Sequence, residues 1–122
     1  MAEWFSRPVL FVADVDQAID FYVRKLGFVE EQRYEEDGVA LVANVTRSDC
    51  ALLLNSQQPA RNGMGRMFIS LDPSDFEPLK REFEARGAPL ETGWWGYDLM
   101  IVRDPDGNEL FFPHPSPPSA GT

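Results

Sequence analysis

The first half of the chain alternates short apolar runs with one amphipathic segment. The run at 7–13 is apolar and rich in branched side chains, which predicts a buried strand. Apolar residues then recur at near-helical spacing from Val15 to Leu26, and this predicts a helix that begins at Asp14 or Asp16 and ends at Gly27. Three further strands are predicted at 28–34, 39–45 and 50–55.

The second half repeats this order of elements. A strand is predicted at 67–71, and a helix should begin at Ser74, whose spacing from Glu77 is that of a capping box, and end at Gly87. Two more strands, at 97–103 and 109–112, flank a turn at Asp104–Gly107.

The two halves read as an internal repeat. Asp14 and Asp72, which each close a first strand, are 58 residues apart, and Gly27 and Gly87 are 60 apart. One βαβββ module cannot bury both faces of its sheet, so the repeat predicts paired modules. We expect one α+β domain over 1–114, with modules at about 7–56 and 65–113, and a flexible tail at 115–122.

Composition and charge narrow the possible partners. The chain has 122 residues, with 20 acidic against 11 basic side chains and a net charge of −9. Nucleic acid is bound largely through Lys and Arg, so no nucleic-acid partner is expected. No apolar run approaches the ~20 residues that span a bilayer, and no leader is recognised, so the expected location is the cytoplasm.

Cysteine and histidine are too scarce for several kinds of site. Cys50 stands alone, which excludes an intramolecular disulfide and a cysteine-rich zinc cluster. His114 is also the single histidine of the chain and is expected to be solvated near the tail. Any metal would therefore need carboxylates for most of its ligands.

Three sequence motifs occur in a fixed order along the chain: VADVDQAIDFY at 12–22, KLGF at 25–28 and DPDGNEL at 104–110. They resemble the vicinal oxygen chelate superfamily of glyoxalases, bleomycin-resistance proteins and extradiol dioxygenases, and the bleomycin-resistance type most of all. The resemblance implies paired βαβββ modules whose curved sheets enclose a cup. It also implies a homodimer with the cups at or near the subunit interface.

The resemblance further points to four positions at which metalloenzymes of the superfamily hold a divalent ion, usually with His or Glu. In this chain these positions are Arg7, Leu53, Arg66 and Phe111. Arginine stays protonated, and leucine and phenylalanine have no donor atoms. Glu109 is a carboxylate nearby, but one carboxylate is not a metal site. We therefore expect neither a metal nor another cofactor.

Side-chain alternation predicts which residues share the cup face with these four positions. If Asp104–Gly107 is a four-residue hairpin loop, Met100 lies opposite Phe111 and Val102 opposite Glu109. An apolar, aromatic face with a few polar groups is typical of a small-molecule pocket, although the same side chains would also pack a core. The predicted ligand-binding residues of this face are Arg7, Phe11, Leu53, Asn55, Arg66, Phe68, Met100, Glu109 and Phe111.

Two tryptophans between glycines complete the predicted site. Trp95 lies nine residues before Asp104, and the bleomycin-binding proteins have at this spacing a tryptophan that stacks on the planar drug. The resemblance therefore implies ligand stacking for Trp95, and we include Trp94; the alternative is that both bury a dimer interface. Arg7 and Arg66 would hold a ligand carbonyl, carboxylate or phenolate, or else pair with Glu109 and other acids.

The sequence therefore predicts a non-catalytic protein of the bleomycin-resistance type. It would bind and sequester a planar aromatic antibiotic, such as bleomycin or an anthraquinone-fused enediyne, and so confer resistance. One alternative is a glyoxalase-like or dioxygenase-like enzyme, including a metal-free form that uses Glu109 as its base. Another is a sensor that binds a metabolite.

Overall fold

The computed structural model describes Trp4 and residues 6–115, and within them the chain forms two α-helices and eight strands. The first half contains β1 (Val9–Phe11), α1 (Val15–Leu26), β2 (Val29–Glu36), β3 (Val39–Arg47) and β4 (Cys50–Asn55). The second half contains β5 (Arg66–Phe68), α2 (Phe76–Ala85), β6 (Leu90–Trp94), β7 (Asp98–Arg103) and β8 (Glu109–Pro113). None of the described helices is long and apolar enough to cross a membrane.

The two halves have the same sheet topology. Their strand orders are β1-β4-β3-β2 and β5-β8-β7-β6, with the first strand of each half parallel to the last. The registers also match, since Val9 lies opposite Leu53 and Phe68 lies opposite Phe111. The predicted α+β fold, with two βαβββ modules in a curved sheet, is confirmed.

Helix α1 has the caps that its sequence predicts. The Asp14 carboxylate accepts a hydrogen bond from the Gln17 amide at 3.0 Å, so Asp14 is the N-cap. Gly27 ends the helix with φ = 74°, a left-handed conformation that favours glycine. The apolar stripe, which includes the fully buried Tyr22 and Leu26, packs against the first sheet.

Helix α2 begins later than predicted. A 3₁₀ turn at Pro73–Asp75 precedes it, and Asp72 accepts hydrogen bonds from the amide of Ser74 at 3.2 Å and from its hydroxyl at 3.1 Å. The Ser74 hydroxyl therefore serves as a donor to Asp72 and does not cap α2. The predicted capping box is wrong, because the aspartate and the following proline make a tighter turn first.

The β7–β8 loop is one residue longer than the predicted hairpin loop. Arg103 pairs with Glu109, so residues 104–108 form the loop. The Asp104 amide donates to the Asn108 carbonyl at 2.9 Å, and the Asn108 amide donates to the Asp104 carboxylate at 2.9 Å. This closure includes Asn108, which the four-residue turn would have assigned to the strand.

The longer loop reverses the faces of β7, because a shift of one residue moves every side chain to the other side of a strand. Ile101 lies opposite Phe111, while Met100 and Val102 are 4 % and 0 % exposed in the core. The prediction that Met100 lies opposite Phe111 and Val102 opposite Glu109 is wrong.

A buried carboxylate joins the two modules. Asp104 is 5 % exposed, and its Oδ2 accepts a hydrogen bond from the Tyr22 hydroxyl of α1 at 2.9 Å. The amides of Asp106 and Asn108 and the side-chain nitrogen of Asn108 donate to the same carboxylate, each at 2.9 Å. Burial, and then the negative charge of Asp104, raise the pKa of Tyr22 well above its usual value.

The same loop also reaches β1 and the start of β5. The Asn108 side chain donates to the Phe11 carbonyl at 3.0 Å and accepts from the Gly65 amide at 2.7 Å. The Asp106 carboxylate accepts from the Ala13 amide at 3.0 Å. Three residues of the DPDGNEL motif thus hold the inner edges of the two sheets together.

A second junction lies between β3 and α2. Arg47 pairs with both oxygens of Glu82, at 2.9 and 2.8 Å, and also donates to the Leu26 carbonyl at 2.8 Å. Arg86 donates to Glu82 at 2.8 Å. Hydrogen bonding from Arg47, supported by Arg86, lowers the pKa of Glu82 to about 2.

The residue that follows β8 is held against β7 and α2. The His114 amide donates to the Asp98 carbonyl at 2.8 Å, and its ring packs edge-on against Phe76 at 4.7 Å between centroids. The His114 side chain is therefore only partly solvated, with 40 % of it exposed. Residues 116–122, which make up most of the predicted tail, lie outside the described residues.

Candidate functional site

Each sheet has one face covered by its helix and one open face. On β4, Leu52 and Leu54 are fully buried beneath α1, whereas Leu53 and Asn55 alternate with them and are half-buried on the other side. On β1, Val9 of the open face is 40 % exposed. The open faces are where the sequence analysis places its candidate residues.

Three aromatic rings meet on the open face of the second sheet, and we call Phe68, Trp95 and Phe111 the aromatic platform. The Trp95 and Phe68 rings are stacked, with 14° between their planes and 6.0 Å between centroids. The Trp95 and Phe111 centroids are 4.6 Å apart. Phe111 is 5 % exposed, whereas Phe68 and Trp95 are 42 % and 53 % exposed. The platform therefore has a buried floor and two accessible rings.

The β6–β7 turn carries Trp95 to the platform. Its amide donates to the Tyr97 carbonyl at 3.0 Å, and Gly96 between them has φ = 81°. Position 93 requires a glycine, because a Cβ there would lie 2.6 Å from Ile101 Cδ1. Trp94 alternates with Gly93, lies opposite Asp98 and is 69 % exposed. It is therefore on the other side of the strand, and the structure does not bring it to the site.

Charged side chains form an ion-pair chain beside the platform, in the order Arg66, Glu109, Arg103 and Glu91. Arg66 Nε lies 2.7 Å from one oxygen of Glu109, and Arg103 Nε lies 2.6 Å from the other. Arg103 also pairs with Glu91. Both oxygens of Glu109 are thus held by guanidinium groups, and its side chain is 12 % exposed. Arg103 is missing from the predicted site because of the register error on β7, and Glu91 is missing because no strand was predicted at β6.

The open face of the first sheet is more polar. Asn44 of β3 lies between Leu53 of β4 and Gln32 of β2. Together with Tyr34, these residues line a shallow depression of about 440 Å³. The side-chain oxygen of Asn44 is buried and has no hydrogen-bond partner among the described residues. Asn55 Oδ1 accepts from the Gln57 amide at 2.7 Å. The sequence analysis does not extend the strand register to β2 and β3, so the predicted site omits Asn44, Gln32 and Tyr34.

Two other predicted residues lie at the edge of this face. Phe11 ends β1 and is half-buried, and its carbonyl belongs to the module junction. Arg7 lies two residues before β1 and is exposed, and it forms no ion pair with any residue that the structure describes. Its place relative to Val9 is that of Arg66 relative to Phe68, so the two arginines occupy equivalent positions.

A divalent ion does not fit the four positions at which the resemblance implies metal ligands. Arg7 and Arg66 carry positive charge, and Leu53 and Phe111 offer no donor atom. Across residues 6–115, no group of three or more His, Cys, Asp or Glu side chains is placed to hold a metal. The chemistry of these side chains therefore suits an organic ligand and not a cation.

A separate groove of about 760 Å³ runs between the modules from the edge of the platform. Pro8 and Cys50 line it on one side, and Met67 and Leu79 line it on the other. Burial raises the pKa of the Cys50 thiol, so this cysteine is not activated as a nucleophile. The groove continues from Phe68 and combines apolar side chains with charged ones, among them Arg47, Asp72 and Glu82.

Several solved structures are similar to this fold. TnmS3, an antibiotic binding protein from Streptomyces sp. CB03234, has a TM-score of 0.73 and 22 % identity, with 94 % of this chain and 98 % of that chain covered. The bleomycin-binding protein from Streptomyces verticillus has a TM-score of 0.71 and 24 % identity, with 95 % and 100 % covered. A lactoylglutathione lyase from Agrobacterium tumefaciens has a TM-score of 0.67 and 21 % identity, with 93 % and 95 % covered.

The comparison of sequences gives the family. No curated protein sequence matches this chain. The family model of the Glyoxalase/Bleomycin resistance protein/Dioxygenase superfamily matches residues 4–112, which is almost the whole of the described fold. The chain therefore belongs to the glyoxalase/bleomycin resistance protein/dioxygenase superfamily.

Proposed function

We propose that this protein binds a planar, partly apolar antibiotic on the aromatic platform and sequesters it in the cytoplasm, without breaking a bond, so that the cell becomes resistant. The observation that carries the proposal is the stacked pair of Phe68 and Trp95, which stay about half exposed above the buried Phe111. Exposed aromatic side chains gathered on one surface are typical of a binding site. A flat ligand that covers them would gain about 0.5–1.5 kcal/mol per ring pair beyond burial.

The comparisons support a binding role but do not decide it. TnmS3 and the bleomycin-binding protein bind antibiotics, whereas another similar structure is a lactoylglutathione lyase. A shared fold does not settle function, so the side chains of the site must. The aromatic platform, and the lack of metal donors at the four positions where metalloenzymes of the superfamily hold their ion, favour the binding of a ligand over its chemical conversion.

The same side chains do not favour an enzyme. Arg7, Leu53, Arg66 and Phe111 would not hold the ion that metal-dependent members of the superfamily use. A metal-free reaction with Glu109 as the base is also not favoured, because Arg66 and Arg103 occupy both of its carboxylate oxygens. A substrate would have to displace these guanidinium groups before Glu109 could take a proton.

We also propose that the protein is a homodimer in which the platform lies at or near the subunit interface. Strand β2 is the outer edge of the first sheet, and its side chains Val29 and Tyr34 are 61 % and 55 % exposed. Apolar residues at such edges are suited to cover by a second copy. Sedimentation equilibrium should give twice the chain mass of 13.8 kDa.

The direct test is a calorimetric titration with bleomycin and with an anthraquinone-fused enediyne, with EDTA present throughout. Saturable binding with a sub-micromolar Kd is expected, and Trp95→Ala should weaken it about tenfold or more. Trp94→Ala removes the neighbouring indole from the other side of the strand and serves as the matched control. If both variants bind like the wild type, or if both drugs fail to bind, the proposed function is wrong.

A further inference from the structure

The charges beside the aromatic platform are ordered so that one end is positive. Along the ion-pair chain, Glu109 lies between two guanidinium groups, and Glu91 neutralises Arg103 at the far end. Arg66 therefore shares its carboxylate with Arg103 and is the positive end of the chain.

Arg66 is held in place and still has donors to spare. Its Nε pairs with Glu109 at 2.7 Å, and its Nη1 donates to the Gly65 and Gly63 carbonyls at 2.8 and 3.3 Å. In the part of the chain that the structure describes, Nη2 has no hydrogen-bond acceptor, and 53 % of the side chain is exposed. A guanidinium fixed on two sides loses little freedom when it binds an oxygen on the third.

The positive end lies next to the stacked rings. Arg66 and Phe68 are two residues apart on β5, so they share the open face with about 7 Å between their Cα atoms. Trp95 stacks on Phe68. A flat molecule bound against these rings would bring a substituent on its edge to the unoccupied donors of Arg66.

We infer that the platform selects planar aromatic acids, whose carboxylate, sulfonate or phenolate oxygen is bound by Arg66; this deepens the function proposed above and depends on it. The net charge of −9 repels an anion at long range. The preference must therefore come from short-range, charge-assisted hydrogen bonds at Arg66.

The test compares two probes of nearly equal shape, anthraquinone-2-carboxylate and the neutral anthraquinone-2-carboxamide, by calorimetry with EDTA. The wild type should bind the carboxylate about three- to tenfold more tightly, since the ion pair is partly exposed. Arg66→Gln should abolish this preference, because it should weaken binding of the carboxylate more than binding of the carboxamide. Arg81→Gln makes the same change of charge at an exposed position on α2, across the sheet, and should keep the preference.

The outcomes separate this inference from the proposed function. If both probes bind equally to the wild type through Trp95, the selectivity for acids is overturned and the binding role stands. If the preference survives Arg66→Gln, the assignment to Arg66 is wrong. If neither probe binds and the two antibiotics of the earlier test also fail, both proposals fall. The comparison of the two probes on the wild type needs no variant to fold.

Discussion

One buried hydroxyl provides a sharp test of how the two modules are joined. The Tyr22 side chain is fully buried, and its hydroxyl donates to Asp104 across the module boundary at 2.9 Å. Tyr22→Phe removes this donor and keeps the ring, so the packing around α1 is preserved. Asp104 keeps its three other donors from Asp106 and Asn108.

The expected loss follows from the charge and burial of the acceptor. A hydrogen bond to a charged group contributes about 1.5–3 kcal/mol. The remaining donors keep Asp104 partly satisfied, so a loss of about 2 kcal/mol in the free energy of unfolding is expected for Tyr22→Phe. That is a large part of the 5–15 kcal/mol typical of a small domain.

The assay is urea unfolding followed by far-ultraviolet circular dichroism, with the slope of the transition compared between variants. Tyr34→Phe is the matched control, because it removes a hydroxyl that is also bonded to a carboxylate, that of Glu36, at 2.6 Å on an exposed surface. It should cost less than about 0.5 kcal/mol. If Tyr22→Phe costs no more than Tyr34→Phe, Asp104 does not join the modules in the way argued above.

Two further predictions concern the other contacts between modules. The pKa of Glu82 is lowered to about 2 from 4.5, so the stabilisation it gives with Arg47 is full above about pH 4.5 and is lost as the pH falls toward about 2. Urea midpoints between pH 7 and pH 2 should therefore fall further for the wild type than for Glu82→Gln, and parallel curves would refute this. In Gly65→Ala the new methyl would lie 2.5 Å from a Leu10 methyl and 2.8 Å from Asn108 Oδ1, which should cost about 1–3 kcal/mol. A thermal melt equal to that of the wild type would contradict that close fit.

The elements that local signals define were predicted well from the sequence. Asp14 and Gly27 mark the two ends of α1 because each makes its capping contact within a few residues of itself. Strand β4 spans Cys50–Asn55 as expected, since it is a short apolar run between polar turns. Strand β6 is missing from the prediction, because as an edge strand it has little apolar alternation and a glycine before its last residue.

The placement of the candidate residues was predictable where it depends on strand alternation and not where it depends on a loop length. Phe68 and Phe111 fall on the open face because β5 and β8 keep the simple alternation of strands. Met100 was placed on the wrong face by one loop residue, and Arg103 was lost from the site for the same reason. The side of the sheet on which Trp94 lies depends on β6, a strand that no pattern in the sequence predicts.

The module junction explains why the family motifs predict the fold better than the function. Asp104, Asp106 and Asn108 of the DPDGNEL motif are engaged with Tyr22, Ala13, Phe11 and Gly65, so they hold the modules together and do not reach the open faces. In this chain the motif therefore serves the fold and leaves ligand contacts to other positions.

The four positions that metalloenzymes of the superfamily use for metal ligands lie outside the module junction, so their side chains can differ without disturbing it. Arg7 and Arg66 are equivalent between the modules, as are Leu53 and Phe111, and each pair lacks a metal donor in both halves. A single substitution would leave three ligands, which can still hold an ion. Here none of the four positions carries a donor, Arg66 places a guanidinium at one of them, and the exposed stacked rings of Phe68 and Trp95 lie beside them; this combination supports the proposed capture of a flat organic molecule.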